Sequence, residues 1–254
     1  MNNATEHFLM TFGERLAQVR QRIDDACRLY GRSRSEVALL AVSKTHGVNA
    51  VRAALACGQD AFGESYLQDA QPKLNALAMV TPRPEWHFIG PLQSNKTRPI
   101  AAQFDWVQSV DRDKIARRLS AQRPTGRPPL NVCLQLNVSG EAGKSGAAPH
   151  RLPDLARLVV TLPGLRLRGV MAIPAQSRDP DRQRHAFAAV RQQYRRLQGM
   201  GFNLDTLSMG MSADLEAAIA EGSTLVRVGT DLFGPRAGAS PHSTPSPSEP
   251  TDSA

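Results

Sequence analysis

The sequence predicts an α/β fold and, within that class, a (β/α)8 TIM barrel. Three observations lead there. Eight short apolar runs alternate with amphipathic segments along the chain, and strands alternating with helices imply a parallel sheet with crossover helices. Eight is also the strand number that closes such a sheet into a barrel. A doubly wound open sheet would carry a Gly-rich fingerprint after its first strand, whereas the residues there are Ser43-Lys44-Thr45-His46-Gly47.

The elements follow in order. Phe8, Leu9, Phe12, Leu16, Val19, Ile23, Cys27 and Leu29 recur at near-helical spacing, which predicts an extra N-terminal helix outside the barrel. Gly31 suits its C′ position, where a left-handed residue ends the helix. Strands are predicted at 37–43, 60–65, 85–90, 104–110, 131–138, 165–173, 204–210 and 224–229. Helices are predicted between them at 48–57, 66–79, 97–103, 111–122, 151–161, 180–200 and 212–221. Pro99 fits a first helical turn and sets the start of the 97–103 helix near Thr97 or Arg98. Residues 235–254, rich in Pro, Ser and Thr, cannot bury enough apolar surface to offset ordering and read as a disordered C-terminal tail. Residues 1–234 read as a single domain.

Composition removes several function classes. The apolar fraction is 41%, but no run approaches the ~20 apolar residues that a membrane helix needs. The N-terminus lacks the basic-then-apolar order of a signal peptide. Cys27, Cys57 and Cys133 are odd in number and not spaced for zinc or a disulfide framework. Free thiols in a cytoplasmic, reducing setting are the expectation. The net charge of +8 comes from arginines scattered along helices, without interleaved aromatics, so no specific nucleic-acid binding is predicted.

The chemistry is expected at the C-terminal ends of the strands. Lys44 ends the first strand, and it is one of only five lysines in the chain. Barrel closure makes the first and eighth strands neighbours, which brings Lys44 to the Gly229-Thr230 turn. Strand seven ends in SMGMSADLEAAI, where Gly210 supplies a tight turn and Ser212 an N-cap. Singly, Ser212 reads as an ordinary helix cap and Gly229 as a turn glycine. Side by side after strands seven and eight, they fit a phosphate site. An amine beside a phosphate site suits a phosphorylated aldehyde, of which pyridoxal 5′-phosphate (PLP) is the common one. Arg227 shares a face with Gly229, and a guanidinium can only donate, so it fits an unprotonated pyridine nitrogen. The bland alternatives are a rim lysine that snorkels to water and an ion pair of Arg227 with Glu64 across the barrel.

The ordered motifs AVSKT, FGESYLQDAQPK, WHFIGPLQSNK, SVDR, LQLNVSGEAGKSG, LRGVMAI, LSMGMSADLEAAI and VRVGTDLFG resemble the YggS/PROSC family of pyridoxal-phosphate homeostasis proteins, from about residue 8 to Arg236. The resemblance implies a barrel like the N-terminal domain of alanine racemase. It implies PLP held as an aldimine on Lys44, with Ser212, Gly229 and Thr230 on the phosphate, Arg227 at the pyridine nitrogen and Met209 near the cofactor. It implies carriage and buffering of vitamin B6 cofactor without catalysis, with apo PLP-dependent enzymes as recipients; a monomer is the expectation from the lack of the racemases' second domain. The racemase alternative needs a second domain with a catalytic tyrosine, and of Tyr30, Tyr66 and Tyr194 only Tyr66 follows a strand end. Ser65 stands where the family carries asparagine, and Asp69 where it carries glutamate. His87, Lys96 and Lys144 are left without an assigned role.

Overall fold

The computed structural model describes residues 3–138 and 145–234. The 235–254 tail and Lys144 therefore lie outside the described residues. The helices are α1 (Asn3–Leu29), α2 (Val48–Ala56), α3 (Leu67–Ala76), α4 (Thr97–Gln103), α5 (Asp113–Gln122), α6 (Leu152–Val160), α7 (Pro180–Gly199), α8 (Leu215–Ala220) and α9 (Thr230–Phe233). The strands are β1 (Ala38–Val42), β2 (Ala61–Glu64), β3 (Glu85–Phe88), β4 (Trp106–Val110), β5 (Leu130–Leu136), β6 (Leu165–Ala172), β7 (Thr206–Ser208) and β8 (Leu225–Val228). All eight are parallel and close into one barrel in sequence order. The eight predicted strands and eight predicted helices each correspond to an element, with α9 in addition.

Closure is made by β1 on β8, where Leu40 pairs with Arg227 and Ala41 with Val228. Strand periodicity then sorts side chains between two layers. Leu39, Ala41, Phe62, Trp86 and Val226 point outward into the main core beneath the helices. Trp106, Cys133 and Met171 form a separate cluster inside the barrel. The same alternation sends Val42 inward and Ser43 outward, so Lys44 emerges over the barrel mouth.

The outer helix α1 buries Phe12, Leu16, Val19, Ile23, Ala26 and Cys27. Gly31, at φ 64°, ends it as expected, with Arg32 N–H bonded to the Cys27 carbonyl at 2.8 Å. Leu29 departs from the predicted apolar face. It sits in the last turn, 75% exposed. The side chains of Phe8 and Leu9 lie outside the described residues. Helix α4 starts at Thr97, as Pro99 requires. Helix α8 starts three residues later than Ser212, because residues 211–214 form a turn in which Asp214 Oδ1 accepts the Met211 N–H at 2.6 Å. Asp214, not Ser212, is the N-cap residue.

The tightest strand approach is at Gly169 on β6. A Cβ there would lie 1.6 Å from the Thr206 carbonyl oxygen on β7, so backbone rather than a flexible side chain would have to yield. Gly169→Ala should cost about 3 kcal/mol or more, read as a lowered urea midpoint in equilibrium unfolding. An unchanged midpoint would mean that β6 and β7 do not pair this closely.

Candidate functional site

A cleft of ≈ 510 Å³ opens at the C-terminal mouth of the barrel. Its lining includes Lys44, Ser212, Arg227, Gly229 and Thr230, which is five of the six residues singled out from sequence. Val42, Ile89, Ile173 and Met211 give it apolar walls. Met209 is not on these walls. Ser208 turns into the barrel, so Met209 turns out, and it is fully buried in the core beneath the helices. Met211, beyond the Gly210 turn at φ 92°, takes the wall position instead.

The backbone at Lys44 is held from behind. Thr45 has φ 68°, a left-handed conformation that a β-branched residue adopts at a cost of about 1–3 kcal/mol and keeps only when its surroundings impose it. The Ser43 carbonyl supplies that imposition. It accepts the His46 N–H at 3.1 Å and Lys73 Nζ at 2.7 Å. Lys73 also donates to Glu64 Oε1 at 2.7 Å, and Ser43 Oγ donates to the same oxygen at 2.5 Å. Glu64 and Lys73 are both buried. Burial pushes the Glu64 carboxyl above its usual range, with the Lys73 ammonium pulling the other way. Burial, and behind it the Lys73 charge, pushes the His46 imidazole below its usual range, so it is neutral at neutral pH. Lys73 is thus a structural cation that fixes the peptide carrying Lys44. Glu64, offered from sequence as a partner for Arg227, belongs to Lys73.

Arg227 forms part of the cleft floor and is 3% exposed. Its Nη1 donates to Ser208 Oγ at 2.6 Å and its Nη2 to the Ala172 carbonyl at 2.9 Å. Ser208 Oγ donates in turn to Gln108 Oε1 at 2.7 Å, and Gln108 Nε2 lies 2.8 Å from His87 Nδ1. His87 Nε2 lies 2.8 Å from Glu85 Oε1 at the other end of the barrel. One proton assignment satisfies every link. Gln108 donates from Nε2 to His87 Nδ1, and His87 donates from Nε2 to the Glu85 carboxylate. The chain therefore runs from a cation to an anion, every donor pointing the same way. Burial pushes the Arg227 guanidinium down to about 10, with Asp214 opposing, which leaves it protonated at neutral pH. His87 is accounted for here: it lies in the barrel lumen, stacked on Trp106 with ring centroids 5.0 Å apart, and is not among the cleft-lining residues.

The remaining candidates sort by position. Lys96 is exposed at the start of α4 and is not on the cleft wall. Ser65 does line the cleft, next to Gly90, whose hydrogen lies where a Cβ would strike the Ser65 carbonyl at 1.9 Å. Tyr194 is buried with its hydroxyl on the Leu204 carbonyl, Tyr30 lies under Arg184, and Tyr66 is 58% exposed at the start of α3. No tyrosine is among the described residues lining the cleft. Sequence reading missed Ile89, Ile173, Gln176 and Met211, which enter from loops after β3, β6 and β7, and Asp231 on α9. It also missed Lys73, whose role depends on α3 packing across β1 and β2.

Residues 15–237 match the family model described as "Alanine racemase, N-terminal domain". A pyridoxal phosphate homeostasis protein of Pseudomonas aeruginosa is 58% identical over 228 residues, 90% of this chain and 97% of that one. One from Escherichia coli K12 is 49% identical over 87% of this chain and 95% of its own. Among solved structures, PipY of Synechococcus elongatus with PLP bound is 36% identical, with TM-score 0.74, covering 88% of this chain and 100% of that one. Alanine racemase of Corynebacterium glutamicum, at 15% identity and TM-score 0.69 over 92% of this chain and 63% of its own, shares the fold.

Two predictions follow from this geometry. Lys73→Met leaves Glu64 buried without its counter-charge and should cost about 3–5 kcal/mol, while Glu64→Leu/Lys73→Met should recover most of that loss. Urea unfolding of the single and double variants measures both, and equal destabilisation of the two would contradict the pairing. Glu85 is held below the usual carboxylate range: burial pushes it up, and the His87 hydrogen bond and the Arg168 charge outweigh that push. A folded-state pKa below the unfolded one gives stability that is present above the unfolded pKa and lost as pH falls through the folded one. Glu85→Gln should therefore flatten the acid limb of the stability–pH profile, and an unchanged limb would mean the chain's anionic end is not ionised.

Proposed function

The chain belongs to the alanine racemase N-terminal-domain family, alongside relatives named pyridoxal phosphate homeostasis protein, and on that premise we propose that it binds PLP covalently on Lys44 and holds it for apo PLP-dependent enzymes without turning over a substrate. The observation that carries this reading is the meeting of Lys44, Arg227 and the 212 and 229–230 backbone in one cleft. The residues fit the group. Apolar walls suit an aromatic ring, a buried donor-only cation lies on the floor, and a turn and a short helix begin at the ends of β7 and β8.

Bound PLP supplies an aldehyde that an amine condenses with. Lys44 supplies the amine, presented by a backbone that Lys73 and Glu64 hold fixed. Arg227, a donor-only group on the floor, would hold the ring nitrogen unprotonated, which would weaken the ring as an electron sink. Gly229 lets β8 end close against β1, where a Cβ would come within 3.3 Å of the Val42 carbonyl. The first N–H groups of α9 have no acceptor within their own helix and suit a phosphate oxygen. The titratable side chains among the described lining residues are Lys44, Arg227 and Asp231. Asp231 is committed to an ion pair with Arg22 at 2.6 Å, so a second acid–base group, which racemisation requires opposite the lysine, is missing from the described lining. No helix among the described residues is long and apolar enough to cross a membrane.

Reduction of the PLP-loaded protein with borohydride, followed by digestion and mass spectrometry, should place the adduct on the peptide bearing Lys44. Lys44→Ala should lose the reducible link and retain weaker, phosphate-dependent binding. An adduct on Lys73 or Lys96, or exchange of the α-proton of alanine in deuterated water at enzymatic rates, would contradict the proposal.

A further inference from the structure

Arg22 lies on α1, outside the barrel, and is not among the residues lining the cleft. Its guanidinium nevertheless reaches both loops that close the cleft on the side of β7 and β8. Nε and Nη2 grip the two carboxylate oxygens of Glu216 on α8, at 2.7 and 3.0 Å. Nη2 also donates to the Ser212 carbonyl at 2.8 Å, and Nη1 to Asp231 Oδ2 at 2.6 Å. These contacts span 190 to 209 residues of sequence.

Two of these partners, the Ser212 carbonyl oxygen and the Asp231 carboxylate, belong to cleft-lining residues and present partial and full negative charge, which is the wrong sign for an anion. A carboxylate and the negative end of a peptide dipole at an anion site oppose binding. Arg22 turns both away. It neutralises Asp231, and it draws the Ser212 carbonyl outward. Because the peptide is planar and trans, the Ala213 N–H then points to the opposite side, away from Arg22. Ala213 itself lines the cleft.

We infer that Arg22 is a specificity-determining residue: through Asp231 and the Ser212 peptide it makes the β7–β8 side of the cleft accept a phosphate, so that the site prefers a phosphorylated aldehyde over the same aldehyde without its phosphate. This rests on the cleft being the PLP site. It also gives α1, an addition to the eight-fold barrel, a part in ligand selection beyond its apolar packing.

The test titrates PLP and pyridoxal into the full-length wild-type protein and into Arg22→Gln, Arg22→Lys and Arg22→Gln/Asp231→Asn, with dissociation constants read from the absorption change. Arg22→Gln should weaken PLP about tenfold or more and move pyridoxal less than about twofold, collapsing the ratio between the two ligands. Removing the Asp231 carboxylate in that background should restore most of the ratio, because no carboxylate is then left on the cleft lining; Glu216, the other acid released, is not part of it. Arg22→Lys keeps the charge without the forked geometry and should fall between; if Arg22→Gln does not fold, the ratio in Arg22→Lys carries the test. Equal loss for both ligands, or no change for PLP, would overturn the assignment to Arg22 while leaving PLP binding intact. A wild-type protein that binds both ligands equally would overturn the phosphate reading itself, and Arg22's role with it.

Discussion

Closure of the barrel is the constraint on which the rest depends. Leu40 on β1 pairs with Arg227 on β8, and that register places the residues just beyond each strand at the same rim. An amine at position 44 and the backbone at 229–230 become neighbours although most of the chain separates them. Every feature of the cleft is arranged around this junction. The β7 turn adds the Ser212 side, the inward face of β8 adds Arg227 beneath, and the loops after β3 and β6 add apolar walls.

The groups around the cleft are held by interactions made on its outer surface. Behind Lys44, a buried Lys73 paired with Glu64 donates to the Ser43 carbonyl, beside a β-branched residue at φ 68°. Beneath Arg227, a one-way chain through Ser208, Gln108 and His87 ends on Glu85. Beside Ser212 and Asp231, Arg22 reaches in from α1. Polar groups removed from water must be paired to be tolerated, and here the pairing also orients the lining residues. A cleft so supported presents fixed groups to a ligand and loses less entropy on binding than a mobile one.

Much of this was legible in the sequence, for identifiable reasons. Apolar runs ending at Val42 and Val228 mark strand ends, and in a parallel barrel strand ends are where function sits, so Lys44, Arg227, Gly229 and Thr230 could be named from position alone. Ser212 was found through a helix-cap argument that holds only loosely, since the turn at 211–214 gives the cap to Asp214. Met209 is placed away from the cleft lining, in the core beneath the helices. With Ser208 inward, period 2 turns residue 209 away from the lumen, and motif similarity did not carry that parity. Lys73 and Arg22 were illegible because their meaning lies in contacts across 30 and about 200 residues, set by how α3 and α1 pack and not by any local pattern.

A crystal structure of the protein grown with PLP would show whether the amine, the guanidinium and the β7–β8 backbone meet on one ligand. Continuous density is expected from Lys44 Nζ to the ligand, with the ring nitrogen facing Arg227 and phosphate oxygens within hydrogen-bonding distance of the 212–213 and 229–231 backbone. Ligand density at another surface, or a phosphate on the side of the mouth away from β7 and β8, would contradict it.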